Sequence, residues 1–286
     1  MCLHGQQFGL GSQLGRRQGI VMRSVLVPTR AGQVAVRVTG DGPPVFFLHG
    51  VGSSARSFRL QIPAFADHTV IIWDAPGYGS SETPADSSID TYAGAAADVI
   101  AALSSNGRAH VVGVSWGSMI ATRLAINTPE VIDTLTLVAS SRGHGPGTGR
   151  EAQMQTRLDA VNAVGLAAFF ATRLPTLFGN RPVPEAVQVE ARSIATWDIR
   201  EDGYIAALES MLALDHLPDM HRVVAPTLVV VGSEDDVAAP EEAKALDERI
   251  ENSELLLVAG IGHLVNQEAP DLFNAALRDH IERFTR

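Results

Sequence analysis

The sequence has few of the features that mark a membrane protein, a disulfide-bonded scaffold or a nucleic-acid-binding protein. Its one cysteine is Cys2, so no internal disulfide can form, which is typical of a reducing compartment such as the cytoplasm. Every apolar run falls well short of the ~20 residues that a membrane-spanning helix needs. The 22 basic residues are outnumbered by 32 acidic ones, and the formal net charge of −10 disfavours binding to nucleic acid or to anionic membranes.

Signatures of bound cofactors are also lacking. The nine histidines are dispersed, and neither His-Glu-x-x-His nor Cys-x-x-Cys occurs, the spacings that are typical of metal sites. No Gly-x-Gly-x-x-Gly string follows a predicted strand and precedes a helix, which disfavours a dinucleotide site. The sequence therefore predicts a protein that needs neither a metal nor an organic cofactor.

The beginning of the chain differs from the rest. Residues 1–21 are rich in Gly, Gln, Ser and Arg and show no apolar periodicity. They also lack the apolar stretch of roughly 7–15 residues that a secretion signal requires. We expect a structureless tail or, alternatively, a start codon placed too early, with Met22 as the true start.

Predicted strands and helices alternate through most of the remaining sequence. Residues 25–38 predict an antiparallel edge hairpin, and buried strands then alternate with helices up to Val138. Only helical periodicity is found in residues 141–222, after which the alternation resumes. The pattern predicts an α/β fold: a mostly parallel sheet of about eight strands with helices on both faces. Residues 22–140 and 223–286 would form this core, and residues 141–222 a helical cap inserted after the sixth strand.

The Gly-x-Ser-x-Gly motif of residues 113–117 lies between a strand pattern and a helix pattern. Valines dominate the residues before it, and apolar residues recur at helical spacing from Met119 onwards. A serine on such a sharp turn is held in a strained backbone conformation with its hydroxyl above the sheet edge, and the glycines leave room for the tight backbone. The context makes Ser115 a candidate nucleophile.

Two further polar residues follow later predicted strands. Asp235 lies in the turn after one strand, and His263 lies in a Gly-x-Gly-His turn after the last. Because ligands bind at the carboxyl ends of parallel strands, we expect both to meet Ser115 there. His263 would accept the serine proton and return it to the leaving group, while Asp235 would orient the imidazole. The competing acids are Glu234 and Asp236, and Asp236 is expected to face solvent.

The backbone N–H groups of Val51 and Trp116 are the predicted donors to a developing oxyanion. Trp116 directly follows the nucleophile, and Val51 lies in a glycine-rich loop after the first parallel strand. Two other histidines are interpreted as structural. His49 would hold that loop, and His144 would lie in the hinge to the cap.

These motifs and their order resemble those of the α/β-hydrolase superfamily from Val25 to the C-terminus. The matching segments are Leu48-His49-Gly50-Val51-Gly52, Asp74-Ala75-Pro76-Gly77-Tyr78-Gly79, Gly113-Val114-Ser115-Trp116-Gly117, Gly232-Ser233-Glu234-Asp235 and Gly262-His263. The resemblance implies the α/β-hydrolase fold and a serine nucleophile.

Within the superfamily the sequence is most similar to 3-oxoadipate enol-lactonases and related small esterases. The similarity is carried by residues 202–208, Asp215 and residues 262–266. Trp116 and Ser118 depart from that subfamily, in which Leu or Met and a second Gly surround the serine. The Ser-Trp-Gly-Ser run also resembles proline iminopeptidases, but the loop at residues 49–53 does not match theirs.

The sequence therefore predicts a cofactor-free serine hydrolase that cleaves a small-molecule carboxylic ester or lactone through an acyl-enzyme. Its pocket should lie between Ser115 and the cap, with Phe169, Phe170 and Trp197 either contacting substrate or forming the cap's own core. The ring of Trp116 is expected to pack under the cap and to restrict the acyl group. Two alternatives stay open: hydrolysis of a C–C bond by the same triad, and a hydrolase-derived receptor with little turnover.

Overall fold

An eight-stranded sheet organises the described part of the chain, residues 21–285 of a computed structural model. Its strands are β1 (Arg23–Thr29), β2 (Gly32–Thr39), β3 (Pro44–Leu48), β4 (Thr69–Trp73), β5 (Ala109–Val114), β6 (Ile132–Val138), β7 (Thr227–Gly232) and β8 (Ser253–Val258). Their order is β1-β2-β4-β3-β5-β6-β7-β8, and β2 pairs antiparallel with β1 and β4 while the pairs from β4 to β8 are parallel. The predicted α/β fold is confirmed. The predicted tail, residues 1–21, lies outside the described residues apart from Val21.

Helices flank this sheet and form the segment inserted after β6. The sheet-flanking helices are α1 (Ile89–Leu103), α2 (Trp116–Asn127), α7 (Pro240–Asp247), α8 (Val265–Glu268) and α9 (Pro270–Phe284), and the inserted helices are α3 (Glu151–Val164), α4 (Leu166–Arg173), α5 (Glu185–Trp197) and α6 (Glu201–Leu212). Between residues 21 and 285, no helix combines the length and the apolar character needed to cross a bilayer.

Successive residues of the central strands serve two separate cores. On β3, Phe46 and Leu48 pack with residues of α1 and α2, whereas Val45 and Phe47 face the side covered by α9. This alternation follows from the two-residue period of a strand, which sends neighbouring side chains to opposite faces. Both faces of the sheet are therefore covered, and the continuous apolar strands of the sequence are explained.

Residues 55–65 form two short 3-10 helices rather than one α-helix. They span Ala55–Phe58 and Ile62–Phe65. Pro63 lies in the first turn of the second, and proline both lacks an N–H donor and disfavours the α conformation of the residue before it. A continuous helix across this segment is thereby excluded.

The segments that enter and leave the cap are joined to each other. The N–H of His216 donates to the carbonyl of Arg142 at 2.7 Å, and the N–H of Gly145 donates to the carbonyl of Leu214 at 2.7 Å. The guanidinium of Arg142 adds an ion pair with Asp215. The segment expected to be a hinge is thus one half of a hydrogen-bonded neck, with His144 buried within it.

Candidate active site

Ser115 occupies the turn between β5 and α2 with φ 56° and ψ −117°. Its N–H donates to the carbonyl of Val138 on β6 at 2.8 Å, which ties the turn to the neighbouring strand. The flanking glycines are required by close packing, because a Cβ at Gly117 would overlap the carbonyl of Leu48 and a Cβ at Gly113 would overlap that of Gly117. A non-glycine residue in this conformation costs about 1–3 kcal/mol, so the surrounding structure holds Ser115 in place.

His263 bridges the serine and an acid. Its Nε2 lies 2.9 Å from Ser115 Oγ, and its Nδ1 lies 2.8 Å from Asp235 Oδ2. A carboxylate at Nδ1 requires a proton on that nitrogen, so Nε2 is left free to accept from the serine hydroxyl. The three predicted residues are therefore joined in one hydrogen-bonded chain through His263, an arrangement suited to a nucleophile, a base and an orienting acid.

Asp235 is almost fully buried and receives three hydrogen bonds. Besides the imidazole, the N–H groups of Val237 and Ala238 donate to its Oδ1 at 2.8 and 2.9 Å. Burial by itself would raise the pKa of this carboxyl, but the charge of His263 and these hydrogen bonds lower it below its ordinary value. Asp235 is consequently ionised at neutral pH.

The competing acids lie elsewhere. Asp236 is exposed, as expected, and Glu234 accepts a hydrogen bond from the backbone N–H of Asn180 in the cap. Neither carboxylate contacts His263. Over residues 21–285 the structure also contains no group of three or more His, Cys, Asp or Glu side chains that could hold a metal ion.

The two predicted oxyanion donors, the backbone N–H groups of Val51 and Trp116, lie near Ser115. Trp116 is the first residue of α2, and Val51 lies on the wall of the cavity next to Ser115. Within residues 21–285, neither backbone N–H has a protein acceptor. The carbonyl of Val51 accepts a hydrogen bond from Tyr78 Oη at 2.7 Å, which fixes the orientation of the loop. Free N–H groups at a loop and at a helix N-terminus are suited to binding an anionic oxygen.

His49 fixes the conformation of the loop that carries Val51. Its Nε2 accepts from the N–H of Ala75 at 3.0 Å, so its Nδ1 carries the proton and donates to the carbonyl of Gly50 at 2.9 Å. Complete burial lowers the pKa of His49, which keeps the ring neutral. These contacts agree with the structural role predicted for it.

The ring of Trp116 packs against helix α1 and the cap helix α6, beside the turn that carries Ser115. It is fully buried, its Nε1 donates to Ser210 Oγ on α6 at 2.9 Å, and its ring centroid lies 4.8 Å from that of Tyr92. The ring thus packs under the cap, as expected. It does not line the cavity, so any restriction on the acyl group comes from other side chains.

A small cavity of about 60 Å³ lies between Ser115 and the cap. Phe170 lines it, as predicted, whereas Phe169 lines a second, neighbouring cavity and packs against Phe170 and Tyr204. The prediction for Trp197 is wrong: 81% of its surface is exposed, so it belongs neither to the cavity wall nor to the core of the cap. The buried stripe of α5 runs through Val187, Ala191 and Ile194, and Trp197 ends the helix on another face.

Two arginines that sequence analysis did not single out also line the cavity. They are Arg157 on α3 and Arg173 at the end of α4. A signal for Arg157 exists in the sequence, because it lies three residues after Met154 and four before Val161, which form the buried stripe of α3. Periodicity places an arginine on a buried face, but it does not reveal what that face encloses.

Comparison with known proteins gives a consistent result. Residues 45–276 match the profile of the alpha/beta hydrolase family. The chain is 30% identical over 251 residues to 3-oxoadipate enol-lactonase 2 of Acinetobacter baylyi, covering 85% of this chain and 90% of the relative. It is 26% identical to (E)-2-((N-methylformamido)methylene)succinate hydrolase of the same species, covering 85% of this chain and 92% of that protein.

Solved structures share the fold. A thermophilic esterase from Thermogutta terrifontis superposes with a TM-score of 0.82 at 24% identity, covering 92% of this chain and all of the esterase. The enol-lactonase from Burkholderia xenovorans LB400 superposes with a TM-score of 0.81 at 22% identity, covering 90% of this chain and all of that enzyme.

Proposed function

The chain belongs to the alpha/beta hydrolase family, and on this premise we propose that it is a serine hydrolase that cleaves a carboxylic ester or a lactone. The observation that carries the proposal is the position of His263, with Nε2 2.9 Å from Ser115 Oγ and Nδ1 2.8 Å from Asp235. The relative named 3-oxoadipate enol-lactonase supports the lactone class, and the esterase of the same fold is consistent with esters.

Acylation begins with Ser115. Its hydroxyl proton moves to Nε2 of His263 while Oγ attacks the carbonyl carbon, and the π electrons move onto the carbonyl oxygen. The N–H groups of Val51 and Trp116 stabilise that oxyanion, each such donor being worth about 3 kcal/mol of barrier. When the intermediate collapses, the bond to the leaving oxygen breaks, and that oxygen takes the proton from His263. An alcohol departs, or in a lactone a hydroxyl remains tethered to the acyl group.

Deacylation repeats these steps with water in place of the serine hydroxyl. His263 takes a proton from the water, the resulting hydroxide attacks the acyl carbon, and the oxyanion forms again between Val51 and Trp116. Collapse breaks the bond to Ser115 Oγ, which regains its proton from the imidazolium. Asp235 stays ionised throughout, since its charge stabilises the imidazolium of both steps.

Replacing the nucleophile tests the proposal directly. Ser115→Ala should lower kcat for p-nitrophenyl acetate and butyrate by at least about 10³-fold, because only binding and the oxyanion donors remain. A fluorophosphonate probe should add to the wild-type protein at Ser115, as located by mass spectrometry of peptides. Ser105→Ala, which changes an exposed serine, is the matched control. Equal turnover by wild type and Ser115→Ala would refute the proposal.

The same assays separate the two alternative functions. Cleavage of a ring-fission dienone without ester turnover would indicate C–C hydrolysis. A fluorophosphonate adduct on Ser115 together with at most one turnover per chain would indicate a receptor derived from a hydrolase.

A further inference from the structure

Two cationic side chains form part of the wall opposite the nucleophile. Arg157 and Arg173 line both the cavity beside Ser115 and a second, more open cavity, and together with Val237 they lie between the two. We infer that Arg157 and Arg173 bind a carboxylate of the substrate, so that the ester or lactone hydrolysed here is an acid. This inference rests on the function proposed for Ser115.

Neither arginine is neutralised by the protein. Within residues 21–285, the guanidinium of neither Arg157 nor Arg173 donates a hydrogen bond to the protein, and neither has a carboxylate within 4 Å. Three other arginines of the cap do have partners. Arg142 pairs with Asp215, Arg150 approaches Glu242 at 3.8 Å and donates to the carbonyl of Val237, and Arg200 pairs with Asp202.

Both guanidinium groups keep their charge although their side chains are half-buried. Burial, followed by the nearby charge of Arg173, lowers the pKa of Arg157 to about 10, and burial also lowers the pKa of Arg173. Both guanidinium groups therefore remain cationic at neutral pH. A cation that is partly removed from water and has no partner is less stable than a paired one, and an anion that enters the cavity supplies that partner. We therefore expect the protein to bind an anionic ligand at these two arginines more tightly than a neutral one.

The rest of the wall offers no competing acid. Among the residues that line the cavity beside Ser115 there is no Asp or Glu, although the whole chain has a net charge of −10. Tyr204 lies in the same wall and supplies a phenolic hydroxyl as a further donor. The positive character of this cavity is therefore local and does not follow from the overall charge.

A carboxylate fits these donors better than a larger anion. The planar guanidinium presents two parallel N–H groups that match the two oxygens of a carboxylate. The cavity measures only about 60 Å³, which favours a compact group held within a few bonds of the ester carbon. The second cavity, about 460 Å³ and open, shares both arginines and gives an anion a way to reach them, although the exposed Asp236 also lines it.

The inference is tested with pairs of substrates that differ only in charge. On the acyl side the pair is ethyl hydrogen succinate and its neutral isostere ethyl succinamate, assayed by release of ethanol. On the alcohol side the pair is O-acetylglycolate and O-acetylglycolamide, assayed by release of acetate. The expected result is a kcat/KM at least about 10-fold higher for the acid of one pair, since a charge-assisted hydrogen bond contributes about 1.5–3 kcal/mol.

Variants assign the preference to the two arginines. Arg157→Gln and Arg173→Gln should each lower kcat/KM for the preferred acid about 10- to 100-fold, mainly through KM, and leave the neutral isostere within about threefold. Arg173→Lys keeps the charge and should restore part of the preference. Arg192→Gln removes a charge from an exposed position on α5 and serves as the matched control. Melting temperatures verify that every variant is folded.

The outcomes separate this inference from the proposed function. Equal kcat/KM for acid and amide in both pairs, or an acid preference that the arginine variants leave unchanged, overturns the carboxylate subsite while the hydrolase stands. If no ester is turned over and Ser115 is not labelled, the proposed function fails, and binding is then measured alone. In that case a rise in melting temperature with succinate that is lost in Arg157→Gln and Arg173→Gln supports the subsite, and its absence overturns it.

Discussion

The reactivity proposed for Ser115 depends on groups that surround it rather than on the serine itself. A free hydroxyl is a weak nucleophile at neutral pH, and His263 must present an unprotonated Nε2 to activate it. Asp235 secures that tautomer because its ionised carboxylate, fixed by two backbone N–H groups, can only accept, so the Nδ1 that faces it must carry the proton. One buried carboxylate thus controls where the imidazole proton resides.

Asp235→Asn tests this control. The amide NH₂ would turn towards the imidazole, because its oxygen is required by the N–H groups of Val237 and Ala238. Nε2 would then carry the proton and could not accept one from Ser115. We expect kcat for p-nitrophenyl butyrate to fall about 10⁴-fold, while KM changes little.

The neighbouring acid provides the control for that experiment. Asp236→Asn changes the charge by the same amount at an exposed position and should retain wild-type kcat. A similar loss in both variants would show that charge near the loop matters, and not the hydrogen bond to His263.

At the scale of elements, the cap is attached to the turn that carries His263. The N–H of His263 donates to the carbonyl of Leu177 at 2.8 Å, and the N–H of Gly179 donates to Glu268 on α8 at 2.8 Å. Glu268 also accepts from the N–H of Gly262 at 3.3 Å and of Leu264 at 3.1 Å. A single carboxylate therefore holds both sides of the histidine turn and one segment of the cap.

Glu268→Ala should disturb stability and turnover together. Three backbone N–H groups would lose their acceptor, and we expect the free energy of unfolding to fall by about 2–4 kcal/mol, with kcat reduced about 10-fold as His263 loses its fixed position. Urea unfolding and p-nitrophenyl butyrate kinetics measure the two effects. Glu268→Gln keeps one acceptor oxygen, so its stability and its kcat should lie between those of the wild type and of Glu268→Ala. Glu251→Ala, at an exposed position, is the control. Wild-type kcat in Glu268→Ala would contradict this role.

At the scale of the whole molecule, several histidines are buried in their neutral form. Burial is the main reason why the pKa falls to about 4 for His110 and to about 3 for His144 and His216. Their ordinary pKa in the unfolded chain is 6.5, so below that pH the unfolded state takes up protons that the folded state does not. Stability from these groups is complete above pH 6.5 and is lost as the pH falls towards 4.

This linkage predicts steep acid destabilisation. Each histidine contributes about 1.4 kcal/mol per pH unit, so the three together lower the free energy of unfolding by up to about 4 kcal/mol per unit between pH 6.5 and 4. Urea unfolding followed at several pH values measures the slope. His144→Leu should reduce it by about 1.4 kcal/mol per pH unit, and neither ring nitrogen of His144 has a partner within residues 21–285 that the variant would leave unpaired. His221→Gln, at an exposed histidine, is the control, and an unchanged slope in His144→Leu would contradict the linkage.

Local patterns in the sequence were sufficient for the fold and for the choice of candidate residues. Strand and helix periodicities, and glycines around a serine, are written in neighbouring residues, and the carboxyl ends of parallel strands must share one edge. This is why Ser115, Asp235 and His263 could be predicted to meet. Their distances agree with that expectation, while their catalytic roles stay proposals.

Only the tertiary structure decided what surrounds them. Trp197 and Phe170 are both aromatic residues on cap helices, yet one is exposed and the other lines the cavity. Arg157 and Arg173 line the same cavities as Val237, more than sixty residues further along the chain, and neither forms a salt bridge within the described residues. Burial and charge pairing depend on contacts between distant segments, so periodicity within one helix cannot reveal them. The sequence thus determined which residues meet at Ser115, and the packing of the cap decided which side chains surround them.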